Sequence, residues 1–105
     1  MDDEIHMFMA VAQAAGAAGY PLGERHPLMV FLRQPAGTEH DFAGATAAVE
    51  ARGWTDPDFT RAGTLPADAE RDMDARFAAC HQVAVRDGSA LLVYDTVVRP
   101  APRKE

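Results

Sequence analysis

The chain has one cysteine, Cys80, in 105 residues, so no internal disulfide can form. A lone thiol suits a reducing compartment, and the cytoplasm is the expected location. Long apolar runs are also missing. A run such as Leu28 to Leu32 falls far short of the ~20 residues a membrane-spanning helix needs. The N-terminus, Met1-Asp2-Asp3-Glu4, is acidic where a secretory signal would be basic. Basic residues are scarce: ten Lys and Arg stand against sixteen Asp and Glu, a formal charge of −6. This argues against wrapping nucleic acid, whose phosphates must be neutralised by Lys and Arg. It argues equally against an anionic membrane surface. A basic protein partner, by contrast, would be steered in.

Large apolar side chains are fewer than the composition suggests. Hydrophobic residues make up 48% of the chain, but 21 of them are alanine and only 28 are larger. At roughly 1.5–3 kcal/mol for each fully buried large side chain, that supports one modest core. The expected organisation is a single domain over 1–105, with 1–3 and 99–105 as frayed tails.

What is present is a set of short periodic segments. Residues 3–18 read as a helix: Ile5, Phe8, Met9, Ala12 and Ala15 fall at helical spacing. Alanines at 10, 12, 14, 15, 17 and 18 raise helix propensity, and Tyr20-Pro21-Leu22-Gly23 stops the run. Residues 28–33 read as an interior strand, apolar on both faces. A second helix starts near Thr38, where Thr38 and Asp41 have capping-box spacing, and ends at Gly53. Residues 59–65 give a weak strand, with Gly63 marking a bulge or an edge. A third helix spans 67–86, with Met73, Phe77, Cys80 and Ala84 as its buried stripe and an Asp72–Arg76 pair on its surface. Residues 90–98 give the last strand.

Helices crossing over between strands favour at least one parallel pair. The fold class expected is α+β: a two-layer sandwich with a small mixed sheet of three or four strands, helices mainly on one face, a variant resembling the ferredoxin-like fold. A small three-layer α/β sheet is the alternative.

Several groupings invite a chemical reading. Gly16, Gly19 and Gly23 follow the first helix instead of opening one, so turn glycines explain them better than a phosphate loop. Glu39-His40-Asp41 offers three ligand types, but neighbouring residues rarely converge on one ion, and no metal or cofactor is expected. Cys80 and His81 point about 100° apart on a helix, so they cannot act as a nucleophile–base pair; Cys80 should be a buried, inert thiol. Trp54, just past a helix end, reads as a core plug ahead of an interface anchor.

No catalytic set assembles from these residues. The functional expectation is a small acidic protein-binding module of the immunity or antitoxin-inhibitor type, covering a basic site on its partner. Its contact residues would be Asp56, Asp58, Asp68, Glu70, Asp72 and Asp74. The alternative is a small enzyme or ligand-binding domain using His26, Glu39, His40, Tyr94 or Asp95 around a concave pocket. A homodimer joined through Leu91, Val93 and Val97, or through Tyr94 and Val98, is a third possibility.

Overall fold

A computed structural model of the protein describes residues 3–65 and 74–97. The elements are β1 (Asp3–Ala14), β2 (Arg25–Pro35), α1 (Phe42–Ala51), β3 (Trp54–Leu65), α2 (Ala75–Asp87) and β4 (Ser89–Val93). The four strands form one sheet in the order β3-β1-β2-β4, and every neighbouring pair is antiparallel. The chain is therefore α+β, with four strands and two helices among the described residues.

The largest departure from expectation is the first element, which is a strand and not a helix. Its even-numbered residues His6, Phe8, Ala10, Ala12 and Ala14 are all buried, a period of two. The same stretch also satisfies a helical stripe, because alanine fits either pattern. Helix propensity differs by less than about 0.7 kcal/mol per residue among ordinary residues. Pairing on both sides, from Asp3↔Pro35 to Gln13↔Arg25 with β2 and from Ile5↔Leu65 to Ala14↔Trp54 with β3, outweighs it. The alanines serve packing instead: Ala10, Ala12 and Ala14 lie in one cluster with Ala45, Ala48 and Val49 of α1, and small side chains on both sides let the helix approach the sheet.

Conversion of that helix to a strand removes the expected parallel pair. β2 and β3 run the same way, but β1 lies between them, antiparallel to both. The order strand-strand-helix-strand-helix-strand also departs from the ferredoxin-like strand-helix-strand alternation. The helices do not share a face. α1 packs with Phe8, Leu28, Val30 and Trp54, backed by Leu91 and Val93. α2 contributes Ala84, Phe77, Cys80 and Val83 to a second cluster with Ile5, Met29, Phe31 and Leu92. The strand alternation assigns these sets to opposite faces.

Both sheet edges are blunted against further pairing. β3 slips register twice against β1, between Met9 and Ala10 and between Val11 and Gln13. Asp56 there takes the positive φ of 51°, so the irregularities fall near Thr60 and Asp56-Pro57 and not at Gly63. On β4, the Ser89 carbonyl accepts from the Arg52 guanidinium at 3.2 Å and the Leu91 carbonyl from the Cys80 thiol at 3.9 Å.

α1 begins at Phe42 with Asp41 as its N-cap, accepting from the Gly44 N–H at 2.9 Å, three residues later than the sequence suggests. The buried Gln34 amide is the reason. It donates to Thr38 Oγ1 and to the Glu39 carbonyl and accepts from the Asp41 N–H, which holds 38–41 in a non-helical loop. α2 begins at Ala75, capped by Asp74. The expected start at 67, Met73 and Asp72, the acidic half of the expected pair with Arg76, lie outside the described residues. No helix among the described residues is long and apolar enough to cross a membrane.

Candidate functional site

The period-two geometry of β1 puts Glu4 and His6 on the same face, two residues apart, under the loop that Gln34 pins. His6 is 1% exposed. Its Nε2 lies 3.0 Å from Glu4 Oε1 and its Nδ1 lies 2.7 Å from His40 Nδ1. Glu4 Oε1 also accepts from the Gly37 N–H at 3.0 Å, so the carboxylate ties β1 to the turn after β2.

With both imidazoles neutral, these contacts assign the protons. The Glu4 carboxylate only accepts, so His6 donates to it from Nε2. Its Nδ1 is then the acceptor, and His40 Nδ1–H donates to it. His40 is left with a lone pair on Nε2. Among the described residues no other group bonds that nitrogen. No described side-chain nitrogen or oxygen is both buried and unpartnered, so Nε2 opens to solvent. The chain Glu4–His6–His40 is a carboxylate–imidazole–imidazole relay with one open end.

Its surroundings are aromatic. Phe8 stands edge-on to His40 at 5.8 Å and to Phe42 at 5.3 Å, and Phe42 is edge-on to Phe59 at 5.4 Å. Phe42 is 47% exposed. It lines, with Thr38, Glu39, His40 and Thr64, a shallow cleft of about 560 Å³. The hydrogen bond from His6, and after it that from the Gly37 N–H, holds the Glu4 carboxyl below the usual carboxylate range against a smaller opposing effect of desolvation.

A second Glu-x-His pair repeats this local geometry at the other end of the sheet. His26, 3% exposed, has Nε2 at 3.2 Å from Glu24 Oε1 and Nδ1 at 2.8 Å from the Tyr94 carbonyl oxygen. Tyr20 and Trp54 flank its ring at 5.0 and 5.7 Å. Both of its nitrogens are spent within the fold. Trp54, 3% exposed, is a core residue.

The residues of the ligand-site alternative thus divide. Glu39 and His40 meet in the cleft; His26 and the Tyr94 backbone meet at the other end; Asp95 is exposed. The contact acids do not form one set among the described residues. Asp56 pairs with Arg25 at 3.3 Å, Asp58 is exposed on β3, and Asp74 caps α2. Asp68, Glu70 and Asp72 lie outside the described residues. Leu91 and Val93 pack under α1 and Tyr94 against the α2 cluster, so these residues face the chain's own helices; Val98 lies outside the described residues. Gly16, Gly19 and Gly23 all take positive φ in the β1–β2 connection, as turn glycines do. Cys80 is only partly buried, and desolvation raises its thiol pKa against a smaller opposing effect of Arg76. A smaller cleft of about 270 Å³, lined by Ile5, Arg33, Leu65, His81 and Val85 among others, lies on the opposite face.

Glu4, His6 and Gln34 are the site residues that sequence reasoning missed. The available signal was Glu-x-His, present at 4–6 and again at 24–26. It carries meaning only on a strand, where residues two apart share a face. No group of three or more metal-ligating side chains gathers among the described residues. Compared with known proteins, the chain matches no family model, no curated protein and no solved structure.

Proposed function

We propose that this chain is a small ligand-binding domain that performs proton transfer, with His40 as the general acid–base group. His6 and Glu4 are positioning residues that set its tautomer. The observation that carries the reading is the open Nε2 of His40 at the end of a relay whose three other imidazole nitrogens are all paired. When Nε2 takes a proton, Nδ1–H can pass its own to His6, and the His6 Nε2 proton moves toward Glu4. The charge gained at the cleft is then spread toward the partly exposed Glu4 carboxylate, which favours a histidine acting as base.

The test is acylation by diethyl pyrocarbonate, read by peptide mass spectrometry. His40 is expected to react faster than a histidine in an unstructured peptide and ahead of buried His6, His26 and His81. His6→Phe should remove that advantage, and Glu4→Gln should reduce it. Acylation of His40 at the peptide rate, unchanged in both variants, would refute the proposal.

A second reading, the module for a basic protein partner, is favoured by one feature: Asp56 and Asp58 project from the irregular β3 edge, with the Asp56 side chain 80% exposed. Reversing both charges should then abolish salt-dependent binding to the partner; binding left intact would remove this reading.

A further inference from the structure

We infer that the cleft beside His40 takes a small organic cation, an amine carrying an apolar ring or chain; this rests on the acid–base reading of His40. The tautomer chain is the starting point. With both imidazoles neutral, Glu4 places the His6 proton on Nε2 and His40 presents a lone pair to the cleft, which a ligand meets with a donor. The neighbouring wall group, Glu39, is also an acceptor. Thr38 offers little, since its hydroxyl donates to the Pro35 carbonyl at 2.7 Å and accepts from Gln34.

Charge points the same way. The residues lining the cleft are Thr38, Glu39, His40, Phe42 and Thr64, so no guanidinium or ammonium is among them. An anion there would face the Glu39 carboxylate, with the Glu4 carboxylate behind His6. The positive end of the α1 dipole does not supply a counter-charge, because the Asp41 carboxylate already occupies it. Phe42 completes the site. Its ring is held edge-on by Phe8 and Phe59 and is still 47% exposed, which gives a cation an aromatic partner and an apolar body a surface. An ammonium group can therefore donate to Glu39 and to His40 Nε2 while its apolar part lies on Phe42.

The experiment is an NMR titration of the whole chain at pH 7.5 with three isosteric probes: benzylamine, benzyl alcohol and benzoate. Saturable shifts confined to His40, Phe42 and Thr64 are expected with benzylamine, at least tenfold tighter than with benzyl alcohol, and none with benzoate. Glu39→Gln should weaken benzylamine severalfold. Benzoate binding as tightly as benzylamine, or benzylamine shifting resonances elsewhere, overturns the cation inference. If His40 still acylates rapidly in that case, the acid–base reading survives alone; slow acylation removes both.

Discussion

Replacing Gly53 by alanine should destabilise the chain far more than the same change at Gly88, although both glycines follow a helix and both have left-handed φ, +87° and +100°. The conformational penalty for a residue with a Cβ is shared, about 1–2 kcal/mol. The surroundings are not. At Gly88 a new Cβ meets nothing within 4 Å, whereas at Gly53 it would lie 2.6 Å from the Ala17 nitrogen, 2.8 Å from its Cα and 2.9 Å from the Gly16 carbonyl carbon. These are backbone atoms, and the Gly53 carbonyl is itself bonded to the Ala15 N–H at 2.8 Å, so neither chain can yield independently. Overpacking of this kind adds about 1–3 kcal/mol. Gly53→Ala should therefore lose about 2–5 kcal/mol and Gly88→Ala about 1–2 kcal/mol. Asparagine separates the two causes, because it tolerates left-handed φ but keeps the Cβ. Gly88→Asn should recover most of the loss and Gly53→Asn little of it. Urea unfolding at constant m reads the difference as a separation of midpoints of about 1–2 M between the two alanine variants. Midpoints that coincide, or full recovery in Gly53→Asn, would show that the crossing of residues 16–17 over Gly53 is not the constraint described.

Other outcomes follow from the same structure. Glu4 has its pKa lowered in the folded chain, so its stabilising contribution is complete above the unfolded glutamate value and is lost as pH falls through the lower folded value. The stability gap between the native chain and Glu4→Gln should be flat above about pH 5 and shrink below it, as urea midpoints across pH will show. Phe8, fully buried, should cost about 3–5 kcal/mol as Phe8→Ala, and the variant should also broaden the His40 and Phe42 NMR signals that its ring holds in place. Asp41→Ala removes the α1 cap and should cost about 1 kcal/mol, measurable by thermal or urea unfolding. Cys80, its thiol pKa raised by burial, should alkylate with iodoacetamide more slowly at pH 8 than a free cysteine.

Much of the local structure was legible in the residues. The strand over 28–33, the end of the second helix at Gly53 and the first part of the strand expected over 90–98, which ends at Val93, follow from short apolar runs and turn chemistry. The site was legible only in part. His40 and Glu39 stood out as candidates, but their company did not. Residues 3–14 carry a helical stripe, and with Met7 to Ala12 apolar throughout they show no apolar–polar alternation, so alanine-rich local propensity favoured the helix. In a helix Glu4 and His6 would point about 200° apart, so nothing in that reading connected the pair to His40.

The residues alone determined acidity, the size of the core, the absence of an internal disulfide and the positions where the chain must turn, because each depends on composition or on one residue's own conformational limits. Tertiary structure decided the identity of the first element, the opposite placement of the two helices and the meeting of Glu4, His6 and His40. Those outcomes depend on pairing between residues 12 to 60 positions apart, from Gln13↔Arg25 to Ile5↔Leu65, and the free energy of that pairing exceeds the few tenths of a kcal/mol per residue by which an isolated alanine-rich segment prefers one form over another.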